Sequence, residues 1–242
     1  MVARKISYSS GCFAADRRVL LVLVLLGLVA AGRAWISAHP QHDPWAPLNL
    51  RDPPGWATPM KFAALDDDVG ECHAVLERSH VSFATLPPAG EEPCFRADRT
   101  RMNDYPLRPN SPAVTCPVAA GLEFWRLNSL DPVARAIFGQ EIVAIEHVGT
   151  FSCRRLYGRA QGAYSQHATG NAIDITGFRL ADGTFISIHR DWNGDGQRAR
   201  FLRAARDGAC AVFGVVLSPD YNAAHADHFH FDQSASWRGV CR

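Results

Sequence analysis

The chain has 242 residues, of which 47% are hydrophobic and 20% are charged, and its formal net charge is +1. The length suits one globular domain of about 170 residues plus an N-terminal appendage. The near-neutral charge gives no argument for a nucleic-acid partner, and the sequence contains no P-loop, dinucleotide-binding glycine motif or internal repeat.

The first predicted element, residues 1–36, is a signal peptide or a membrane anchor. An apolar run from Val19 to Ala31 has the length of a signal-peptide core, and "VAA" at its end would serve as a cleavage site. Extended to Ile36, the run is nearly long enough to span a membrane, and the sequence leaves both alternatives open. In either case the rest of the chain is directed outward by the preceding basic residues, Arg4, Lys5, Arg17 and Arg18.

Two further segments follow. Residues 37–60 are rich in proline and predict an extended linker, and residues 61–242 have the composition of a globular domain. Within the domain, a helix is predicted over residues 117–129 and a second one from Asp131, which would be its N-cap before Pro132. Residues 141–153 alternate and predict a strand.

Six cysteines of this domain indicate that it is exported and stabilised by disulfides. In an exported chain they would form three disulfides, whose pairing the sequence leaves open. No Cys-x-x-Cys pair occurs, which argues against a zinc ribbon or a thioredoxin-type redox site. Cys12 precedes the apolar run and would stay inside or be removed; the six are Cys72, Cys94, Cys116, Cys153, Cys210 and Cys241.

The segment "YSQHATGNAIDITGF", residues 164–178, carries the first candidate metal ligands, His167 and Asp174. An extended chain would hold them roughly 23 Å apart, so one metal can bind both only if the chain turns between them. Gly170 and the residue after it are suited to such a turn because they tolerate positive φ. In the strand that follows, Ile173 and Ile175 would face the core and Asp174 the opposite side.

Further along, Asp182-Gly183 predicts a hairpin, and residues 197–213 predict a helix. The last predicted strand, "HFHFD", begins at His228. Alternation places His228 and His230 on one face and the two phenylalanines on the other. Because helices and strands are mixed without a regular βαβ order, we predict an α+β fold with a mostly antiparallel sheet.

Two histidines and a carboxylate with an open fourth position are typical of a catalytic zinc site. "SQHATGNAID" resembles the Ser-x-His-x-x-Gly-x-Ala-x-Asp signature of zinc metallopeptidases related to D-Ala-D-Ala carboxypeptidases, lysostaphin and the hedgehog domain. "HADHFHFD" is similar to their second, His-x-His signature. The region from roughly Cys72 to Cys241 resembles the bacterial extensin-like C-terminal domain family, through "SCRRLYG", "GNAIDITGF", "DGACAVFGVVLSP" and "DHFHFD".

The resemblance implies a hedgehog- or D,D-peptidase-like fold and a role for each matching residue. It implies one Zn²⁺ per chain bound by His167, Asp174 and His230. His228 would be the general base or proton donor, with Asp227 as the second choice, since carboxypeptidase members have Glu at that position. Ser165 and His225 would support the ligands, and Arg154, in preference to Arg155, would face the substrate.

The leading hypothesis is therefore an exported zinc metallopeptidase, anchored in the inner membrane or secreted, that acts on peptide stems or cross-links of bacterial peptidoglycan. Its substrate class rests on the resemblance. The alternatives are a non-enzymatic, zinc-stabilised module that binds the cell wall, and a structural protein held by disulfides without a metal. The bond cleaved, the endopeptidase or carboxypeptidase mode and a metal other than zinc all stay open.

Overall fold

The computed structural model describes residues 11–242, so Arg4 and Lys5 of the predicted N-terminal segment lie outside the described residues. Helix α1 (Gly11–Ala38) contains a stretch, Asp16–Ala38, that is long and apolar enough to cross a membrane. No part of that stretch is buried against the rest of the chain. These features support a signal sequence or an anchor at the N-terminus.

The first half of the domain is mainly helical. After α1 and a short 3₁₀ turn, the elements are α2 (Thr58–Ala64), α3 (Val69–Arg78), β1 (Phe83–Thr85), β2 (Thr100–Met102), β3 (Leu107–Arg108), α4 (Cys116–Trp125) and α5 (Asp131–Phe138). A π-helical turn, Arg126–Leu130, makes α4 and α5 continuous. The prediction that Asp131 caps a separate helix is therefore wrong. Leu130 before it is already helical, and the Asp131 carboxylate accepts from Arg126 at 2.8 Å.

The second half contains most of the sheet. Its elements are β4 (Ile142–Gly149), β5 (Ala172–Leu180), β6 (Phe185–Ser187), α6 (Ile188–Asp191), α7 (Gln197–Ala209), β7 (Val215–Leu217), β8 (Phe229–Asp232) and β9 (Val240–Cys241). The predicted hairpin is confirmed, since β5 and β6 are antiparallel and Gly183 in their turn has φ +87°.

Seven strands form one sheet in the order β3-β4-β5-β8-β7-β9, with β6 also paired to β5, while β1 and β2 form a separate pair. The α+β prediction is confirmed, but the sheet is mixed, which corrects the prediction of a mostly antiparallel one. The outer strands β3 and β9 pair in parallel with β4 and β7. Both are two-residue strands that reach the edges through long connections, so no tight hairpin sets their direction.

The main core lies between one face of the sheet and the helices. Trp125 of α4 packs edge-on against Phe231 of β8, with ring centroids 5.3 Å apart, and its indole N–H donates to the Ala205 carbonyl of α7 at 2.8 Å. As predicted, the side chains of Ile173, Ile175, Phe229 and Phe231 are fully buried in this core. The polar residues between them therefore face the other side of the sheet.

Part of the predicted linker, residues 37–60, packs into the domain. Leu48 and Leu50 belong to the hydrophobic core. The Leu50 N–H donates to the Ser79 hydroxyl at 2.9 Å, and Arg78 donates to the Leu48 carbonyl at 2.8 Å. The second half of this proline-rich segment is thus ordered by hydrogen bonds to the end of α3.

The three predicted disulfides are present, and they join elements far apart in the chain. Cys72–Cys116 links α3 to α4, and Cys210–Cys241 links the end of α7 to β9. Cys94–Cys153 links two irregular segments. The Cys94–Cys153 disulfide therefore fixes the chain directly before Arg154.

The sheet–helix core gives a stability prediction. Phe231→Ala removes a fully buried ring that contacts Trp125 and Phe213, and we expect the free energy of unfolding to fall by about 3–5 kcal/mol. Val143→Ala, on an exposed position of β4, should change it by about 0.5 kcal/mol or less. Urea unfolding with the disulfides intact measures both values. Equal losses would show that this face of β8 is not a core face.

Candidate metal centre

The pairing of β5 with β8 brings the first two polar side chains together. Asp174 and His230 lie directly opposite each other in the antiparallel register. The Asp174 Oδ1 atom is 2.9 Å from His230 Nδ1. Because their neighbours in both strands point into the core, both side chains lie on the sheet face away from the helices.

His167 reaches the same point through a tight turn. It lies in a 3₁₀ helix, Gln166–Thr169, and its backbone N–H donates to the buried Ser165 hydroxyl at 3.3 Å. Gly170 ends this helix with φ +75°, as the sequence predicted. The chain then enters β5 at Ala172, which is fully buried. Ser165 therefore lies beside His167, where the resemblance placed a supporting residue.

The structure brings His167, Asp174 and His230 together as a donor triangle, which we define by His167 Nε2, the Asp174 carboxylate and His230 Nδ1. The Nε2 atom is 3.1 Å from Asp174 Oδ2 and 3.1 Å from His230 Nδ1. Four ligands about 2 Å from a tetrahedral zinc ion are roughly 3.3 Å from one another. The observed spacing is close to that value, so this donor set fits a small cation.

The outer nitrogens of the two rings also have partners. His167 Nδ1 lies 3.3 Å from the Thr150 carbonyl, and His230 Nε2 lies 2.8 Å from Asp232 Oδ2. Carbonyl and carboxylate oxygens are acceptors, so each outer nitrogen carries a proton as donor. In the neutral rings, the inner nitrogens then present lone pairs to each other and to Asp174. Such a buried cluster of acceptors requires a proton or a metal cation between them.

The pKa values of Asp174 and His230 are shifted in the directions that favour a negative carboxylate and a positive imidazole. Burial opposes the charge on Asp174, but the His167 and His230 rings, in their protonated forms, donate to its carboxylate, and these hydrogen bonds outweigh burial and hold the pKa of Asp174 below its usual range. Burial likewise opposes the charge on His230, but its hydrogen bonds to Asp174 and Asp232 raise the pKa of His230 to about 9. The triangle is thus a site of negative potential that favours a positive charge.

His228 is the next polar side chain along the same face. Its Nε2 atom is 3.6 Å from Asp174 Oδ1, and its Nδ1 atom is 2.8 Å from Asp227 Oδ1. Since the Asp227 carboxylate accepts from Nδ1, the Nε2 atom of His228 is the one that faces the triangle. Asp227 is two-thirds exposed and contacts His228 rather than the triangle.

The remaining predicted residues surround this group. The His225 ring lies 5.2 Å from the His228 ring and 5.9 Å from the His230 ring, and its Nδ1 atom is 2.8 Å from Asn222 Oδ1. Burial, together with the charges of His228 and His230, lowers the pKa of His225 to about 4. A neutral imidazole at this position adds no charge beside the triangle.

A cleft of about 430 Å³ opens onto the triangle. Arg154 lines it, whereas the Arg155 guanidinium lies over the Tyr164 ring, 4.3 Å from its centroid. The structure therefore brings Arg154 to the site and directs Arg155 elsewhere. Aromatic side chains form much of the rest of the lining, namely Tyr157, Tyr164, Tyr221 and Trp237.

Two contributors to the centre were missed in the sequence predictions. Asp232 and the Thr150 carbonyl hold the outer nitrogens of the His230 and His167 rings, respectively. Asp232 had a readable signal, because it follows His230 by two positions and therefore shares its strand face. The Thr150 carbonyl had none, since a backbone atom contributes by position and not by residue type.

Comparison with known proteins adds one match. A family model described as "Extensin-like protein C-terminus" matches residues 70–242. This range includes the donor triangle, the cleft and all three disulfides. No curated protein and no solved structure matches the chain.

The Asp232 contact gives a test of the centre. We expect Asp232→Ala to weaken Zn²⁺ binding about 10–100-fold, because His230 loses the acceptor that orients its ring. Competition with a chromophoric chelator measures the affinity. Asp227→Ala removes a carboxylate that touches only His228, and should leave the affinity almost unchanged. If Asp232→Ala binds Zn²⁺ as tightly as the wild type, Asp232 does not orient a ligand.

Proposed function

The chain belongs to the Extensin-like protein C-terminus family, and we propose that it is an exported, zinc-dependent metallopeptidase. Its proposed substrates are the peptide stems or cross-links of peptidoglycan. The observation that carries the proposal is the donor triangle, formed by two histidines and one aspartate at the base of a cleft. The substrate class comes from the resemblance to D-Ala-D-Ala carboxypeptidases and lysostaphin.

The donor set supports a catalytic rather than a structural metal. Structural zinc sites usually have four protein ligands, commonly thiolates. Here the six cysteines of the domain are paired in disulfides, and three protein donors leave a fourth position towards the cleft. Zn²⁺ bound there would polarise a peptide carbonyl and lower the pKa of a neighbouring water to near 7.

His228 is the residue best placed to move the proton. Its Nδ1–H is held by Asp227, so Nε2 is free to accept a proton from a water and then to donate it to the leaving amine. Its distance of 3.6 Å from Asp174 Oδ1 places Nε2 next to the triangle without making it part of the donor set. Asp227 then acts through His228, by fixing its tautomer and orientation.

Arg154 supplies the positive charge on the cleft wall. A guanidinium there can bind a peptide carboxylate or stabilise the oxyanion that develops on the cleaved carbonyl. Its position is set by the preceding Cys94–Cys153 disulfide and by the Ser165 N–H, which donates to the Arg154 carbonyl at 3.0 Å. The tyrosines and tryptophan of the cleft offer flat surfaces for packing against the substrate.

Metal content and hydrolysis are expected to be lost together. The purified full chain should contain about one zinc per molecule by elemental mass spectrometry and should release new muropeptides from purified peptidoglycan. His167→Ala and Asp174→Ala should each remove zinc and products, because two donors cannot hold the ion tightly. Full hydrolysis by chelator-treated protein would contradict the proposal.

His228→Ala separates catalysis from metal binding. We expect this variant to keep its zinc but to lower kcat about 10²–10⁴-fold, the usual contribution of a general acid–base residue. Mass spectrometry of muropeptides, with zinc content measured on the same samples, checks both. His189→Ala, a histidine outside the cleft lining, is the matched control. Binding of peptidoglycan without any product from the wild type would instead support a non-enzymatic cell-wall binding module.

A further inference from the structure

Helix α1 is joined to the domain through a stack of rings rather than through a free linker. Near the end of the helix, the Trp35 carbonyl is 2.7 Å from His39 Nδ1. The Trp35 ring stacks on His39 with centroids 4.4 Å apart and on His42 at 5.3 Å. The helix end and the 3₁₀ turn that follows it, Pro40–His42, therefore form one packed unit.

This unit is bound in turn to the start of the domain. The backbone N–H of Trp56 donates to His42 Nδ1 at 3.3 Å, and Lys61 Nζ donates to the Pro40 carbonyl at 2.7 Å. Gly55 packs so closely on the backbone of Gln41 that a side chain at this position would overlap it. Since Lys61 lies in α2, whose Phe62 is in the core, the contacts run without interruption from α1 to the core.

Large apolar side chains are exposed around this junction. Trp45 is 88% exposed, Trp56 is 61% exposed and Met60 is 51% exposed. We call these three residues the juxtamembrane surface. Tryptophan is enriched at membrane–water interfaces because its ring is apolar and its N–H is polar. Trp45 follows the helix closely in the chain, and Trp56 is brought back to the helix end by its contact with His42, so both exposed rings fit a lipid headgroup layer better than they fit water.

The helix itself has the dimensions of an anchor. Its 23-residue span is about 35 Å long at 1.5 Å per residue, which crosses a hydrocarbon core of about 30 Å with a small tilt. Arg33 and Trp35 lie near its outer end, where Arg extends to the headgroups and Trp lies in the interface.

We propose that α1 is retained as a membrane anchor and that the juxtamembrane surface lies in the headgroup layer of the same membrane. The ring stack then holds the domain in one orientation above the lipid. The partner is a phospholipid bilayer surface, and the inference does not depend on the proposed hydrolysis. The cleft would share this orientation. Asp66, just after α2, forms an ion pair with Arg238, and the residue before Arg238 is Trp237 of the cleft lining.

Tryptophan quenching in lipid tests the position of the surface. The full chain is placed in phosphatidylcholine nanodiscs, with or without lipid brominated near the headgroup end of the acyl chains. We expect the bromine-sensitive emission to fall in Trp45→Phe and in Trp56→Phe, because those rings lie within reach of the bromines. Trp192→Phe is the control, since the Trp192 ring is buried against Phe229 of β8, and this variant should leave the bromine-sensitive emission unchanged. Equal bromine-sensitive emission in all three variants would overturn the proposed surface.

Retention of the helix has a direct test. The chain is expressed with its own N-terminus in a bacterial host, the membrane fraction is isolated and the intact mass of the protein is measured. We expect a mass that includes residues 19–38 and a protein that resists extraction with alkaline carbonate. A mature chain that begins at residue 32, or that is released by carbonate, would overturn the anchor.

Discussion

The arrangement of the domain depends on the antiparallel pairing of β5 with β8. One face of this pair carries isoleucines and phenylalanines, and burying them against α4 and α7 fixes the register of both strands. The same register sets Asp174 directly opposite His230 on the other face. A slip of one residue in either strand would turn the polar side chain of that strand into the core. The hydrophobic core therefore positions the donor triangle, and site and fold are stabilised by the same strand contacts.

The triangle is also pre-organised from outside. Asp232 and the Thr150 carbonyl each hold the outer nitrogen of one imidazole, so the inner nitrogens are aimed at Asp174 before any ion arrives. A buried group of lone pairs is unfavourable unless a positive charge lies among them. The orientation of these side chains therefore favours a positive charge at the centre of the triangle, and the neighbouring His228 lies outside the donor set.

Much of the site could be predicted because its residues obey strand alternation. Ile173, Ile175, Phe229 and Phe231 identify the core face from sequence alone, and Gly170 marks the turn that returns His167 to Asp174. The parallel pairing of β3 with β4 and of β9 with β7 could not be predicted, because two-residue strands carry no periodic signal. The continuity of α4 and α5 was missed for another reason. Asp131 before a proline looks like a cap, but its carboxylate pairs with Arg126 instead.

The proline-rich segment illustrates the same limit. Composition predicts an extended linker for residues 37–60, but composition does not show which backbone groups find partners. Ser79, Arg78 and Lys61 supply them, and Leu48 and Leu50 enter the core. Tertiary contacts of this kind, between residues tens of positions apart, leave no local pattern. The order of such a segment therefore depends on its contacts with distant parts of the chain and not on its own composition.

The Cys94–Cys153 disulfide makes one wall of the cleft dependent on redox conditions. The segment it holds has little regular structure: a short 3₁₀ turn, Leu156–Gly158, and one isolated bridge between Arg155 and Tyr164. The covalent link, together with the Ser165 N–H bond to the Arg154 carbonyl, therefore holds the wall that bears Arg154 in place. Disulfides persist in oxidising compartments and are rare in the cytosol. Completion of this wall therefore depends on the redox conditions around the chain, whereas the pairing of β5 with β8 that holds Asp174 opposite His230 involves no cysteine.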